Sequence, residues 1–283
     1  MQKPPQITGA VERITTIQAA RILQARPHNR HISKETVAKY AREMIAGTFQ
    51  SLNGETIIFN REGGLENGQH RLTARVTSGL LHMDFMVVRG VEPGAYETHD
   101  QGRPRSAADA ATLRGYQHSR VLMAAVRWLW IYNKEWPGGL THKVPLSNGE
   151  LLAYLEANQE LSIAEDDVRR NYPNAGVMLV ASIAVFVRVV TDALSPEMSK
   201  AFFATLQTGE APPTLRPVLR LRDKLLARQS KTHRLRTAEI LILTARVWNA
   251  VRKGRDLQKL TVVRDHHGGE GDKHPFHNAP RFE

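Results

Sequence analysis

The chain has 283 residues, of which 41% are hydrophobic and 24% charged, a composition typical of a globular protein and not of a disordered one. Its formal net charge of +11 favours a polyanionic partner, and the absence of cysteine excludes disulfides, thiolate catalysis and cysteine metal sites. The longest apolar run, Ala175 to Val187, is too short to cross a bilayer and predicts a buried core helix. Met1 to Ala10 lacks an apolar h-region, so we expect a cytoplasmic protein without a membrane partner.

The first 115 residues alternate short strands and helices. Apolar positions recur at strand or helical spacing, and Ser33 and Ser106 stand where helix caps are expected. In chain order the predicted elements are a strand at Val11 to Ile14, a helix to Leu23, a helix from Lys34 to Ala46, a hairpin with its turn at Arg61 to Gly64, a helix ending at Ser78, a strand in "MDFMVVRGV" and a helix from Ala107 to Leu113. Few and short strands favour an α+β core over a doubly wound sheet.

From His118 onward the pattern is almost wholly helical. The predicted helices are Ser119 to Lys134, Asn148 to Gln159, Glu165 to Asn171, Ala175 to Ala193, Pro196 to Leu206, Leu215 to Gln229 and Thr237 to Lys253. Residues 265–283 are rich in Gly, Pro and His and predict a disordered tail. The expected organisation is therefore an α+β domain at 1–115, an all-helical domain with a basic surface at 116–264, and the tail.

The polar stretch Gly68-Gln69-His70-Arg71 stands at the entrance of a predicted helix. A strand that ends in a glycine turn and opens a helix directs backbone N–H groups and the positive end of the helix dipole outward. Glycine lets a ligand approach the backbone closely, and histidine and arginine add donors suited to phosphate. The residues predict an anion site or, as the alternative, a helix start whose polar side chains face solvent.

The same stretch resembles the signature of the ParB/sulfiredoxin-like superfamily, a Gly-x-[His/Arg]-Arg element at a strand-to-helix turn that holds nucleotide phosphates. It is particularly similar to the D-G-Q-H-R form of phage and mobile-element proteins, with Asn67 in place of the aspartate. The resemblance covers Val11 to Gly115 and implies a small mixed-sheet domain that binds ATP or CTP with Mg²⁺ through Gly68 to Arg71. Sulfiredoxins have a catalytic cysteine where this chain has Gln69, so sulfinic-acid reduction by that route is excluded.

Three carboxylates are candidates for organising Mg²⁺, because phosphoryl transfer usually needs a metal and often a carboxylate near the nucleophile. Glu66 is the acidic residue nearest to the motif, Glu55 begins the neighbouring predicted strand and could also hold Mg²⁺ or act as a base, and Asp100 lies in a later loop. Glu66 and Asp100 are the candidate metal ligands and, with His70, the candidate catalytic residues. A Glu66 side chain in solvent at the hairpin is the alternative.

The loop His99 to Ser106 contains Asp100 and is the second candidate region. It resembles the Asp-x-Gly-Arg-x-Arg stretch that follows the motif in D-G-Q-H-R-type relatives. Arg103 and Arg105 are therefore further candidate phosphate ligands, and Ser106 opens a helix beside them. A capped surface loop is the alternative.

Between Thr214 and Arg264 there are 14 Lys or Arg residues and 3 acidic ones, so this segment accounts for the whole net charge. A basic row at i, i+4 spacing runs along its first helix: Arg216, Arg220, Lys224 and Arg228. Such a row predicts salt-dependent contact with a nucleic-acid phosphate backbone. No helix-turn-helix pattern identifies a base-reading helix, and a solvated helix face is the alternative.

The motif and the segregated charge together indicate a ParB-like nucleotide-binding protein that acts on or at DNA in a phage or mobile-element setting. Its enzymatic form is an ATP-dependent phosphotransferase or a nucleotide hydrolase. The alternative is a non-enzymatic DNA-binding regulator of the partition type, in which the motif region clamps the phosphate backbone. Asn67 is an amide and cannot act as a base, which fits a site that binds a nucleotide without turning it over. The sequence leaves the oligomeric state open.

Overall fold

The computed structural model describes residues 6–25, 32–95, 105–140, 144–227, 235–261 and 279–283. The chain divides into two compact units: unit 1 consists of Met1–Arg105 with Pro145–Glu150, and unit 2 of Ser106–Val144 with Leu151–Glu283. The predicted α+β class is confirmed, because unit 1 combines a sheet with helices and the described part of unit 2 is helical.

Unit 1 is built on a mixed four-stranded sheet. Its strands are β1 Thr8–Thr15, β2 Thr56–Asn60, β3 Leu65–Asn67 and β4 His82–Val91. They lie in the order β1-β4-β2-β3, with β4 antiparallel to β1 and parallel to β2, and with β2 and β3 forming an antiparallel hairpin. Alternation along β4 buries Phe85 and Val87, whereas Met86 between them is exposed. One face of the sheet therefore forms the core of the unit.

Three helices of unit 1 contribute to that core: α1 Thr16–Gln24, α2 Lys34–Ile45 and α3 Gln69–Thr77. α3 packs against both α1 and α2, and its Leu72 and Ala74 are fully buried. The predicted cap at Ser33 is confirmed, since its hydroxyl accepts a hydrogen bond from the Thr36 N–H at 3.2 Å. α3, the helix of the polar motif, is thus fixed by packing on two sides.

The remaining helices follow in chain order. They are α4 Ala107–Leu113, α5 Ser119–Lys134, α6 Asn148–Ala157, α7 Glu160–Asn171, α8 Pro173–Leu179, α9 Ala181–Leu194, α10 Pro196–Thr208, α11 Arg216–Ala227 and α12 Thr237–Arg252. α4 and α5 have the predicted bounds, and Ser106 caps α4 in a capping box with Asp109. Apolar side chains of α9 and α12 are almost all buried, so these two helices lie inside unit 2.

The single helix predicted from Ala175 to Ala193 is wrong. The chain breaks at Val180, where φ is 72° and ψ is 128°, and α8 and α9 meet there at a bend of 107°. No single helix among the described residues is long and apolar enough to cross a membrane. Together α8 and α9 reach that length and composition, but the bend separates them.

The predicted disordered tail is wrong for its last five residues. Phe282 is buried and its ring meets those of Tyr132 and Phe186 at centroid distances of 6.1 and 6.0 Å. Asn249 of α12 binds the same segment, donating to the Arg281 carbonyl at 2.7 Å and accepting from the Glu283 N–H at 2.9 Å. Burial of the Phe282 ring stabilises the end of the chain in this position, although the residues around it are mostly polar. Residues 265–278 lie outside the described residues.

Candidate anion-binding site

The polar motif lies where the sequence predicts it, at the turn from β3 into α3. Gly68 is the N-cap of α3 and has φ 106°, a left-handed conformation that L side chains rarely adopt. A side chain at this position would also overlap Ile57 of β2. The fold itself therefore requires glycine here, independently of the ligand approach that the sequence suggested.

His70 links the motif to α2. Its Nε2 accepts a hydrogen bond from the Ser33 backbone N–H at 3.0 Å. Ser33 is also the N-cap of α2, so one histidine ties the starts of two packed helices together. Because Nε2 is the acceptor, the ring carries no proton on that nitrogen. In the neutral ring, Nδ1 is therefore the nitrogen that carries the proton.

Arg71 is directed towards the beginning of β2. Its Nη2 donates to the Thr56 carbonyl at 2.8 Å, and the carboxylate of Glu55 lies 3.8 Å away. The Arg71 side chain is mostly buried, whereas that of Glu55 is exposed. Arg71 thus connects α3 to the beginning of the inner strand β2, and its charge lies in the first turn of the helix.

Glu66 lies in a β-bulge, since β3 has one residue more than β2 between two paired positions and Glu66 is that extra residue. It is 8% exposed, so the alternative of a solvent-facing hairpin residue is wrong. Oε1 accepts from Asn60 Nδ2 at 2.6 Å, whereas Oε2 is buried and has no hydrogen-bond partner in the described parts of the chain. The Asn60 Oδ1 in turn accepts from the N–H groups of Glu62 and Gly64, so this contact holds the hairpin turn.

Glu66 and Arg71 bind opposite ends of one strand. The Arg71 partner, Thr56, begins β2, and the Glu66 partner, Asn60, ends it. Four residue steps along a strand span about 13 Å. The structure therefore does not bring the two side chains to a common partner, and the phosphate-binding and carboxylate roles predicted for them fall at separate places.

Arg75 is a basic residue of this region that sequence reasoning missed. It lies one turn beyond Arg71 on α3, is 0% exposed, and is the one arginine of that helix enclosed completely. Within the part of the chain that the structure describes, none of its three guanidinium nitrogens has a hydrogen-bond partner. Burial lowers the pKa of this guanidinium below its usual range. The i, i+4 spacing from Arg71 is the feature that points to it in the sequence.

The second predicted region is described only at its end. Asp100 and Arg103 lie outside the described residues. Arg105 is exposed, and its carbonyl accepts a hydrogen bond from Asn148 Nδ2 at 2.8 Å. No group of three or more acidic or histidine side chains that could hold a metal occurs among the residues described. The Mg²⁺ ligands Glu66 and Asp100 thus stay predictions.

The predicted basic row on α11 is partly engaged in contacts within unit 2. Arg220 forms an ion pair with Asp256 at 3.0 Å, and Lys224 donates to the Leu260 carbonyl at 2.6 Å. Arg216 is exposed, and Arg228 lies outside the described residues. Two of the four residues therefore hold the segment that follows α12, and their charges are less available to a polyanion.

Comparison of the chain with protein-family models, with curated proteins and with solved structures finds no match. The functional conclusion therefore depends on the residues and contacts described above.

Proposed function

We propose that the chain is a ParB/sulfiredoxin-like protein that binds the phosphates of a nucleotide at α3 and acts on or at DNA. The observation that carries the proposal is Arg75, a fully enclosed guanidinium on the helix that begins with Gly68 to Arg71, which has no hydrogen-bond partner among the described residues. The order of elements supports the superfamily resemblance, because the motif occupies the turn between a short strand and a helix in a small mixed sheet.

A buried charge without a partner is expensive, because a guanidinium removed from water loses its hydration and gains nothing in return. Such a group becomes favourable when an anion completes its hydrogen bonds, and phosphate matches its planar donors well. Side chains on a helix lean towards its N-terminus, which brings Arg75 to the side of Arg71 and the helix start. A phosphate there also interacts with the positive end of the α3 dipole. Since Arg75 is enclosed, binding requires the groups that cover it to move.

The arrangement favours binding over turnover. Asn67 stands where the resemblance has an aspartate, and Glu66 is directed to Asn60 at the far end of β2 from the Arg71 partner. A carboxylate held away from the phosphates is poorly placed to bring Mg²⁺ to them. The regulator form of the proposal is therefore the better supported one. An ATP-dependent phosphotransferase is the second candidate, favoured by the buried Oε2 of Glu66, for which the described residues provide no hydrogen-bond partner.

Calorimetry with ATP and with CTP, each with and without Mg²⁺, tests nucleotide binding. We expect binding by the wild type, and binding about tenfold to a hundredfold weaker in Arg75→Met, the ratio for loss of one hydrogen-bonded charge. Arg13→Met is the matched control, because Arg13 is exposed on β1 and pairs with Asp84 at 2.8 Å. Absence of binding by the wild type, or equal affinity in Arg75→Met and Arg13→Met, would overturn the proposal.

A turnover assay separates the two forms of the function. The regulator releases and transfers no phosphate, whereas the phosphotransferase does so above the level of a Glu66→Gln variant. DNA binding is measured separately from its salt dependence. Arg216→Ala should lower the slope of log affinity against log salt by about 1, and Arg220→Ala by less, because Arg220 pairs with Asp256.

A further inference from the structure

Unit 2 contains a cavity of about 490 Å³ between the start of α5 and the helices α7, α8 and α9. Its lining is dominated by valines, among them Val121, Val168, Val177 and Val185. The volume is in the range of small-molecule sites, which are typically apolar with a few polar groups that fix orientation. The cavity lies in unit 2 and is independent of the nucleotide site proposed for α3.

Two residues in its wall have a backbone conformation that side chains disfavour. Among the described residues other than glycine, positive φ occurs at His118, with φ 50°, and at Val180, with φ 72°. Both line this cavity. A β-branched residue with positive φ is a clear outlier, and such conformations concentrate at ligand sites, where the surrounding structure enforces them. The break at Val180 bends α8 away from α9, and residues on both sides of the break line the cavity.

Val177 and Val180 are exposed although they are large and apolar. Their exposure is explained if the cavity is normally filled, because a ligand would cover apolar surface that otherwise faces water. The neighbouring valines deeper in the wall, Val168 and Val185, are buried by the fold itself. Apolar surface therefore remains uncovered at the mouth of the cavity.

The lining contains Glu165, whose carboxylate can accept further hydrogen bonds. The Glu165 side chain is 9% exposed and faces Arg169 Nε at 3.5 Å, but no hydrogen bond to its carboxylate occurs among the residues described. A carboxylate accepts several hydrogen bonds, so Glu165 has acceptor positions available to a ligand in the cavity. Arg169 is already bound to Asp166 of the same helix. A ligand that donates a hydrogen bond would give the Glu165 carboxylate an additional partner.

We infer that this cavity binds a small, mainly apolar molecule that donates one hydrogen bond to Glu165. Valine side chains contact its apolar body, and the carboxylate orients its N–H or O–H group. The size of the cavity and the Glu165 acceptor define the class of ligand.

Calorimetry with indole as the probe tests the site, and 1-methylindole, which has the same apolar body and no donor, tests the role of the carboxylate. We expect saturable binding of indole and an affinity about fivefold to tenfold weaker for 1-methylindole, the ratio for one hydrogen bond. Equal affinities for the two probes would overturn the assignment of Glu165 as the acceptor.

Two tryptophan variants test whether indole binds in this cavity. Ala181 is exposed and lines the cavity, so Ala181→Trp fills its mouth without disturbing the core. Ala204 is exposed on α10 and does not line it, so Ala204→Trp is the matched control. We expect Ala181→Trp to abolish indole binding and Ala204→Trp to retain it. Failure of the wild type to bind indole, or equal binding by both variants, would overturn the inference.

Discussion

Two buried arginines, one in each unit, have opposite surroundings. Arg188 of α9 is 5% exposed, and its Nε lies 3.0 Å from a carboxylate oxygen of Asp167 and 3.1 Å from one of Asp192. Its Nη1 also donates to the Ser199 hydroxyl at 3.1 Å. Arg75 of α3 is 0% exposed and has no partner within the described residues.

The charge of Arg188 is paired within the fold, whereas the charge of Arg75 is not paired with any described residue. Removing a guanidinium from water costs several kcal/mol, and Arg188 recovers this cost from two carboxylates and a hydroxyl. Arg75 recovers none of it from the described residues. A ligand that pairs with the guanidinium would offset this cost, which is the reason we propose Arg75 as a ligand-binding residue.

Arg188→Met should have the largest effect. It leaves Asp167 and Asp192 without their cation, and we expect a loss of about 3 kcal/mol in the free energy of unfolding. All four tryptophans belong to unit 2, so denaturant unfolding followed by tryptophan fluorescence reports on this change. An unchanged midpoint would show that these contacts contribute no stability.

Arg75→Met should have the opposite sign. It replaces an uncompensated buried charge by an apolar side chain, and we expect unit 1 to gain about 2 kcal/mol. Unit 1 has no tryptophan, so hydrogen exchange of α3 amides is the suitable measurement. Faster exchange in the variant would mean that Arg75 stabilises the free protein and would remove the contrast with Arg188.

Arg71→Ala tests what decides the sign of the change in the free energy of unfolding: the position of the arginine on α3, or the presence of a hydrogen-bond partner. Arg71 lies on the same helix as Arg75 but donates to the Thr56 carbonyl. We expect it to behave like Arg188, with a loss of about 1.5 kcal/mol for one charged hydrogen bond. A gain in stability, measured by the same exchange experiment, would show that α3 disfavours any arginine.

Glu150→Gln provides the smallest effect and one that depends on pH. Burial alone would raise the pKa of Glu150, but hydrogen bonds from Arg42 and Ser147 outweigh it and hold this pKa below its ordinary value of 4.5. The stabilisation is therefore complete above the unfolded-state pKa and is lost as pH falls towards the lower folded-state pKa. The pair is partly exposed, so we expect less than about 1 kcal/mol.

Thermal unfolding between about pH 6 and about pH 3 measures this dependence. The wild type should lose its advantage over Glu150→Gln as the solution becomes more acidic. A difference that does not change with pH would indicate that the Arg42 contact acts through packing and not through charge.

Local features of the fold were predictable from the sequence because neighbouring residues determine them. Ser33 and Ser106 begin helices through hydrogen bonds to residues three positions away. α5 has the predicted bounds because its apolar spacing is regular. The turn at Gly68 was also predicted, although its reason, the contact with Ile57, depends on a strand eleven residues earlier.

Features that depend on distant contacts were not predictable. No glycine or proline marks the break at Val180, and a continuous apolar run predicts one helix there. Likewise an arginine on a short helix is expected at the surface, and only packing against α1 and α2 explains why α3 is enclosed. In the candidate site, the backbone turn and the motif residues could therefore be predicted from the sequence. The burial of Arg75 and the bulge at Glu66 could not.

The attachment of residues 279–283 to α12 determines how the chain can be shortened for experiments. Ending it before the histidine-rich stretch would also remove Phe282 from its aromatic neighbours in unit 2. Arg246 and Asn249, three positions apart on α12, bind the carbonyls of Thr261 and Arg281 respectively. The two ends of the intervening stretch are thus both held by α12. An internal deletion of residues 262–278, closed by a short Gly/Ser linker, keeps both anchors in place.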